Sequence, residues 1–183
     1  DWINPKTIKE ICIQKVAYLS KNSNIYIARQ NPKTLKIIKN ILKKNPSKKI
    51  YSSNWKIIKK NNKKYYKDKS QTILLNTKLI HSNALIDNLC LAIKVALDLG
   101  IKKKTISKTL PQIKFEGRVQ YINQGKLKNL LNKNEKILID GCHSEASAKN
   151  LYNYLKTVKG PIYGIWGMQK NKLPEKFIKS FKK

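Results

Sequence analysis

The sequence predicts an α/β protein, and three observations support that prediction. Short apolar runs of strand length alternate with longer segments whose apolar residues recur at helical spacing. The run Ile137–Ile139 stops on Asp140 and Gly141 and is followed at once by a helical pattern, which is typical of a strand that turns into a helix. Proline and glycine mark the ends of segments, as Pro32 and Gly100 do at the start and end of two helical patterns.

The first 110 residues contain four predicted helices and five predicted strands. Thr7 followed by Glu10 is typical of a capping box, so a helix begins there. Asn61 and Asn62 separate two runs rich in β-branched and aromatic residues, which favours a hairpin. The predicted helices span residues 7–18, 32–44, 82–99 and 103–110, and the predicted strands span 24–28, 50–51, 55–58, 64–66 and 72–75.

Residues 111–114 form the predicted junction between two domains, because Pro111 follows the fourth helix and a new alternation starts beyond it. The predicted strands after the junction span 119–122, 136–139 and 161–165; the predicted helices span 126–131 and 146–156, and a last one starts near Pro174. We therefore expect domains at residues 1–114 and 115–183.

The formal net charge of +30 first suggests a nucleic-acid or membrane partner. Only Arg29 and Arg118 among the 40 basic residues are arginine, whereas base and phosphate recognition favours the arginine fork. The lysines are spread along the chain, and 25 isoleucines and 19 asparagines stand against seven alanines. Lys, Asn and Ile share A/T-rich codons, so we interpret the charge mainly as genome composition and expect no specific nucleic-acid partner.

The cysteines indicate a reducing compartment. Cys12, Cys90 and Cys142 are odd in number and have no C-x-x-C spacing, which argues against a disulfide framework and a structural zinc site. No apolar run approaches the length of about 20 residues that spans a membrane, and no signal peptide is visible. We expect a monomeric, cytoplasmic protein without a membrane partner. Because residue 1 is Asp1 rather than Met, we also expect a piece of a longer protein.

The turn after Ile139 is the first candidate site. An aspartate at the carboxyl end of a strand can accept hydrogen bonds from a ribose or a base, and the following helix N-terminus favours anions. Asp140 and His143 are therefore candidate binding residues. The alternative is an ordinary strand-to-helix turn in which Asp140 is the N-cap.

Five short motifs resemble those of one enzyme family, and they occur in the family's order. These are T-I-K-E-I-C-I-Q-K-V-A-Y at 7–18, N-L-C-L-A-I at 88–93, G-R-V-Q at 117–120, D-G-C-H at 140–143 and G-M-Q-K-N-K at 167–172. Together they resemble the folylpolyglutamate synthase / dihydrofolate synthase family of Mur-ligase-type enzymes. The resemblance implies ATP- and Mg²⁺-dependent joining of glutamate to folate or dihydropteroate through an acyl-phosphate. It also implies that 1–114 is the later half of a P-loop-type central ATPase domain and 115–183 the first half of a Rossmann-like glutamate-binding domain.

The resemblance assigns roles to five residues. Asn88 matches the asparagine that contacts adenine, Arg118 the arginine that reaches the ATP phosphates, and Asp140 the aspartate that binds ATP. His143 matches a histidine that we place near the incoming glutamate or the acyl-phosphate, and Lys15 matches the lysine that the family carbamylates. Ordinary interpretations stay open: Asn88 as a helix-surface amide, Arg118 as a solvated loop charge, and His143 as a structural, hydrogen-bonded histidine.

Four departures from the family pattern limit the prediction. Ser144–Glu145 replaces Asn-Pro, Gln14 replaces a glutamate, and Ala84–Leu85 replaces a His-Gln pair. No G-x-G-K-[ST] phosphate loop occurs in the 183 residues, and we expect the Mg²⁺ ligands upstream of Asp1. We therefore expect no metal site in this chain and no ligation by the chain alone. Another Mur-type ligase of cell-wall precursor synthesis and a basic nucleic-acid-binding module remain the alternatives.

Overall fold

The computed structural model describes residues 7–16, 19–77, 80–169 and 172–181. Helices and strands alternate through these residues, which confirms the predicted α/β class. The chain forms two compact units: Asp1–Leu74 with Asp87–Lys103, and Leu75–Ile86 with Lys104–Lys183. The domain boundary after residue 114 stays a prediction. No helix in the described ranges is both long enough and apolar enough to cross a bilayer.

The first unit opens with helix α1 (Ile8–Val16) and a parallel strand pair, β1 (Asn24–Ile27) and β2 (Lys48–Tyr51), joined by helix α2 (Pro32–Ile41). The capping box is confirmed, because the Glu10 backbone N–H donates to Thr7 Oγ1 at 3.2 Å and Thr7 N–H donates to Glu10 Oε2 at 3.1 Å. The predicted helix end at 17–18 lies outside the described residues. The predicted helix 32–44 is confirmed, with its last turn, Leu42–Lys44, wound as a 3-10 helix.

A three-stranded antiparallel sheet follows, made of β3 (Trp55–Lys60), β4 (Lys63–Asp68) and β5 (Thr72–Leu74). Asn61 and Asn62 have φ angles of 49° and 56°, which confirms the predicted hairpin turn. One face of the sheet is buried, and Tyr66 and Ile73 on that face have no solvent exposure.

The Asp68 carboxylate fastens the loop after β4. It accepts hydrogen bonds from the Tyr66 hydroxyl at 2.8 Å and from the backbone N–H groups of Ser70 and Gln71 at 2.9 and 2.7 Å. Burial alone raises the pKa of Asp68, but these donors outweigh burial and the net pKa is lowered. The loop after β4 is therefore held by an ionised carboxylate.

Helix α3 (Asn83–Asp98) begins among residues of the second unit and ends among those of the first. Helices α4 (Lys103–Thr109) and α5 (Lys126–Asn129), strands β6 (Gln120–Ile122) and β7 (Ile137–Ile139), and helices α6 (Glu145–Leu155) and α7 (Pro174–Lys179) complete the second unit. Strands β6 and β7 pair antiparallel, with Gln120 opposite Ile139.

The predicted strand at 161–165 is wrong. These residues form neither strand nor helix, and none pairs with another strand within the described chain. Tyr163 and Ile165 are 91 % and 107 % exposed, so the apolar pattern here is not buried as a strand in a sheet would be. An apolar run predicts a strand only when a neighbouring strand supplies hydrogen bonds, and local sequence does not contain that information.

Candidate functional site

The candidate site is a pair of loops at one end of the β6–β7 pair. The Gly141 N–H donates to the Gly117 carbonyl oxygen at 2.8 Å, and the Val119 N–H donates to Asp140 Oδ2 at 2.8 Å. These bonds fasten the loop before β6 to the turn after β7. We call residues 117–119 and 140–143 the loop pair. It brings together three of the predicted site residues, Arg118, Asp140 and His143.

The loop before β6 has a strained backbone. Gly117 has a φ of +66°, which glycine tolerates, and Val119 has a φ of +46°, which is unusual for a β-branched residue. Such a conformation costs on the order of 1–3 kcal/mol and persists only where surrounding contacts hold it. Burial of Val119 and its bond to Asp140 hold it here, and Gln120 Oε1 accepts from the Gly117 N–H at 2.7 Å. Residue 119 was predicted as strand and instead precedes it.

Arg118 presents an exposed guanidinium beside Gly141. A Cβ added to Gly141 would lie 2.8 Å from Arg118 Nη1 and 3.8 Å from its Cζ, so the guanidinium occupies the space that a side chain would need. Among the ion pairs of the described residues, none involves Arg118. Its charge is therefore available to an anionic ligand.

Asp140 is half-buried and accepts from two sides, the Val119 N–H and the Cys142 thiol. Burial, together with the neighbouring Asp140 carboxylate, raises the pKa of the Cys142 thiol to about 12, although Arg118 opposes that shift. Cys142 is thus a protonated donor at neutral pH. A carboxylate offers about four lone-pair positions, so Asp140 keeps acceptor capacity for a ligand hydroxyl.

The interpretation of Asp140 as a helix N-cap is wrong. Ser144 is the N-cap of α6: its Oγ accepts from the Ser147 N–H at 3.2 Å, and its own N–H donates to Ser147 Oγ at 2.9 Å. A serine satisfies the helix end, so the Asp140 carboxylate is free to bond across the loop pair instead.

His143 lies on the exposed side of the turn. Its Nδ1 is 3.0 Å from the Gly141 carbonyl oxygen, and its backbone N–H donates to Ser147 Oγ at 3.2 Å. The carbonyl can only accept, which assigns the proton of a neutral ring to Nδ1 and leaves Nε2 as an exposed acceptor. The ring is therefore oriented by the protein and keeps one nitrogen for a ligand.

Ser144 and Glu145, which depart from the Asn-Pro that the sequence resemblance implies, place a negative charge at the start of α6. Glu145 is the first helical residue, and Lys149 Nζ donates to its Oε1 at 2.6 Å. That hydrogen bond lowers the pKa of Glu145. A negative side chain here already uses the favourable helix dipole, which makes the start of α6 less attractive to a further anion.

Lys15 and Asn88 belong to the first unit. Lys15 is exposed in the last turn of α1, and Asn88 is exposed on the second turn of α3. Neither lines the polar cavity of about 290 Å³ that the first unit contains. Their predicted roles stay predictions.

No metal centre is built by the described residues, since they contain no group of three or more His, Cys, Asp and Glu side chains able to hold a metal ion. The loop pair offers one carboxylate, one imidazole and the Cys142 thiol, and its arginine repels a cation, whereas Mg²⁺ prefers oxygen ligands. The described residues therefore do not fit Mg²⁺.

The fold resembles part of the fold of solved folylpolyglutamate synthases. The solved structures that it resembles are folylpolyglutamate synthases, so the predicted resemblance is confirmed at the level of the fold. The enzyme from Thermotoga maritima superposes with a TM-score of 0.74 at 18 % identity, covering 98 % of this chain and 43 % of that one. A mutant of the L. casei enzyme gives 0.70 at 15 % identity, covering 97 % and 45 %. The Mycobacterium tuberculosis enzyme complexed with ADP gives 0.66 at 15 % identity, covering 86 % and 36 %.

The chain thus spans less than half the length of these solved structures. No protein-family model matches it, and no curated protein matches it by sequence.

Three contributors to the loop pair were not predicted from the sequence. Cys142 and Gln120 act through hydrogen bonds to Asp140 and Gly117, and Val119 acts through its backbone. Gln120 was visible as part of G-R-x-Q. No sequence signal identified Cys142 as a contributor, because its thiol donates to the Asp140 carboxylate only when the fold brings the two groups together.

Proposed function

We propose that this chain is part of an ATP-dependent ligase that joins glutamate to folate or dihydropteroate, as folylpolyglutamate synthases do. The supporting observation is the loop pair, which holds Arg118, a residue in no ion pair of the described part of the chain, and the Asp140 carboxylate, which has spare acceptor capacity. The shared fold and a relative solved with ADP support the same class of ligand.

In this proposal, the loop pair binds ATP. The Arg118 guanidinium bonds to phosphate oxygens and stabilises the charge that develops during phosphoryl transfer. Asp140 accepts from ribose hydroxyls through the lone pairs that Val119 and Cys142 leave free. Asn88, in the first unit, is separately proposed as an adenine contact, and that role rests only on the match of 88–93 to the family's N-A-A-L-A-I.

The ligation itself takes two steps. The substrate carboxylate attacks the γ-phosphorus, the bond to ADP breaks, and an acyl-phosphate forms. The glutamate amine then attacks the acyl carbon, the carbon–oxygen bond to phosphate breaks, and an amine proton is released. His143 Nε2 is the group proposed to accept that proton, since Nδ1 is held by the Gly141 carbonyl. Lys15 is the proposed carbamylation site.

The proposed setting is a monomer in the cytoplasm. Two of the three cysteines, Cys12 and Cys90, are buried as free thiols, as in proteins of a reducing compartment. Burial raises the pKa of Cys90 to about 12, so this thiol stays protonated and unreactive.

The decisive test is nucleotide binding to the 183-residue chain. Binding is monitored by two-dimensional NMR of the ¹⁵N-labelled protein while ADP is added. We expect the largest shift changes at the amides of Gly117, Arg118 and Gly141. Arg118→Ala should abolish them. Arg29→Ala is the matched control, because it removes the other arginine, which is exposed in the first unit.

Two results would contradict the proposal. One is a set of ADP-induced changes that avoids the loop pair. The other is an Arg29→Ala protein that loses ADP binding as fully as Arg118→Ala does, which would indicate attraction by net charge alone.

A further inference from the structure

The outward face of the β3–β4–β5 sheet concentrates positive charge around an aromatic ring. In the antiparallel register Lys56 lies opposite Lys67, and Lys60 lies opposite Lys63, so all four share one face of the sheet. The centre of that face is apolar. We call this outward face of the sheet the lysine face. It includes Lys56, Lys60, Lys63, Lys67, Ile58, Tyr65 and Leu74.

Burial shows that this face points to solvent. Trp55, Tyr66 and Ile73 on the opposite face are 8 %, 0 % and 0 % exposed, so that side packs into the core. The four lysines are exposed, Ile58 and Tyr65 are half-buried, and Leu74 is 40 % exposed.

The charges of the lysine face are uncompensated. No ion pair of the described chain includes Lys56, Lys60, Lys63 or Lys67. Asp68, the acid of the same hairpin, lies opposite Trp55 and so belongs to the buried face. Like charges directly opposite each other destabilise a sheet. These lysine pairs therefore disfavour the hairpin to a small extent, and a bound anion would relieve the repulsion.

We propose that the lysine face binds single-stranded nucleic acid without sequence preference. Two lysine pairs lie about 13 Å apart along the strands, since four residues rise about 3.3 Å each. They flank a central tyrosine on which a base can stack. Lysines act as point charges on phosphates rather than as base-reading forks, so this face needs no arginine. The central aromatic ring favours a polymer with bases over a chain of carboxylates.

The test measures binding of fluorescein-labelled (dT)20 to the full 183-residue chain by anisotropy across a salt series. The face variant replaces Lys56, Lys60, Lys63 and Lys67 by Gln. The control variant replaces Lys33, Lys36, Lys43 and Lys44, which are exposed on α2 and the turn after it, and so removes the same charge. A third variant, Tyr65→Leu, keeps every lysine.

We expect the face variant to lower the slope of log affinity against log salt by about 2 to 3, since each neutralised phosphate contributes about 0.7 for single strands. The control should change the slope by less than about 1. Tyr65→Leu should weaken (dT)20 by about fivefold or more and leave binding of inorganic polyphosphate, which has no bases, unchanged.

Three outcomes would overturn the proposal. The first is an equal loss in face and control variants, which would make the attraction diffuse. The second is a Tyr65→Leu protein that binds (dT)20 like the parent. The third is a requirement for the lysine face in binding phosphatidylserine vesicles but not (dT)20, which would assign the surface to membranes. If the face variant fails to fold by circular dichroism, Tyr65→Leu and the control decide between these outcomes.

Discussion

Replacing Gly141 by alanine tests whether the position of the Arg118 guanidinium matters, because the arginine is kept but its guanidinium is displaced. Gly141 does not have a positive φ, so an alanine there meets no backbone penalty. Its Cβ would meet Arg118 Nη1 at 2.8 Å and the Gly117 carbonyl oxygen at 3.5 Å. The oxygen is at an ordinary contact distance, whereas the guanidinium must move by about 1 Å to reach normal van der Waals separation.

The expected effects on stability and on ligand binding differ. Because the displaced atom is the end of a flexible, exposed side chain, we expect the free energy of unfolding to change by less than about 1 kcal/mol. A guanidinium displaced by that distance loses a charge-assisted hydrogen bond to phosphate, which is worth about 1.5–3 kcal/mol. ADP affinity should therefore fall by a factor of about 10 to 150.

The assay pairs urea unfolding with NMR-monitored ADP titration of the 183-residue chain. Gly164→Ala is the matched control, because nothing lies within 4 Å of its added Cβ. The double variant Arg118→Ala/Gly141→Ala should bind ADP no more weakly than Arg118→Ala alone, since both changes remove the same contact. Parent-like ADP affinity in Gly141→Ala, or a further loss in the double variant, would refute the reasoning.

Two further predictions concern the first unit. In a ligase that contains this chain, Lys15→Ala should lose activity, and short carboxylic acids should partly restore it. Replacing the exposed Lys9 of the same helix by alanine should leave activity unchanged. Full activity of Lys15→Ala without added carboxylic acid would contradict the proposed carbamylation. Because the folded-state pKa of Asp68 is lowered, its contribution to stability is present above the unfolded pKa of about 4 and is lost as pH falls through the folded value. Between about pH 6 and pH 3, the free energy of unfolding measured in urea should therefore fall less for Asp68→Asn than for the parent protein. Replacing the exposed Glu116 by glutamine should give the same pH dependence as the parent. Identical pH dependence in all three proteins would contradict the assignment.

Local signals predicted much of the fold. The Thr7–Glu10 box, the Asn61–Asn62 turn and Gly100 after α3 each depend on bonds within a few residues, and each is found where the sequence placed it. Arg118, Asp140 and His143 were predicted as site residues from a family resemblance; the structure places them on one loop pair, and their roles stay predictions.

Long-range contacts account for what the sequence could not predict. The left-handed Val119 is held by a bond to Asp140, 21 residues away, and no local propensity anticipates that conformation. Residues 161–165 have the composition of a strand but pair with no strand in the described chain, so propensity alone misplaced them. The N-cap at Ser144 depends on reciprocal hydrogen bonds with Ser147. Those bonds exist only once the helix has formed, so the sequence did not show that Ser144 rather than Asp140 is the N-cap.

Because Arg118 and Asp140 lie at the same end of β6 and β7, the proposed nucleotide site exists only in molecules whose two strands are paired. The pair is short, with three residues in each strand, so its opening is a local equilibrium distinct from global unfolding. The apparent dissociation constant equals the intrinsic constant divided by the fraction of molecules whose strands are paired. A nucleotide bound there as proposed favours the paired strands, so slower amide hydrogen exchange in β6 and β7 would report nucleotide occupancy.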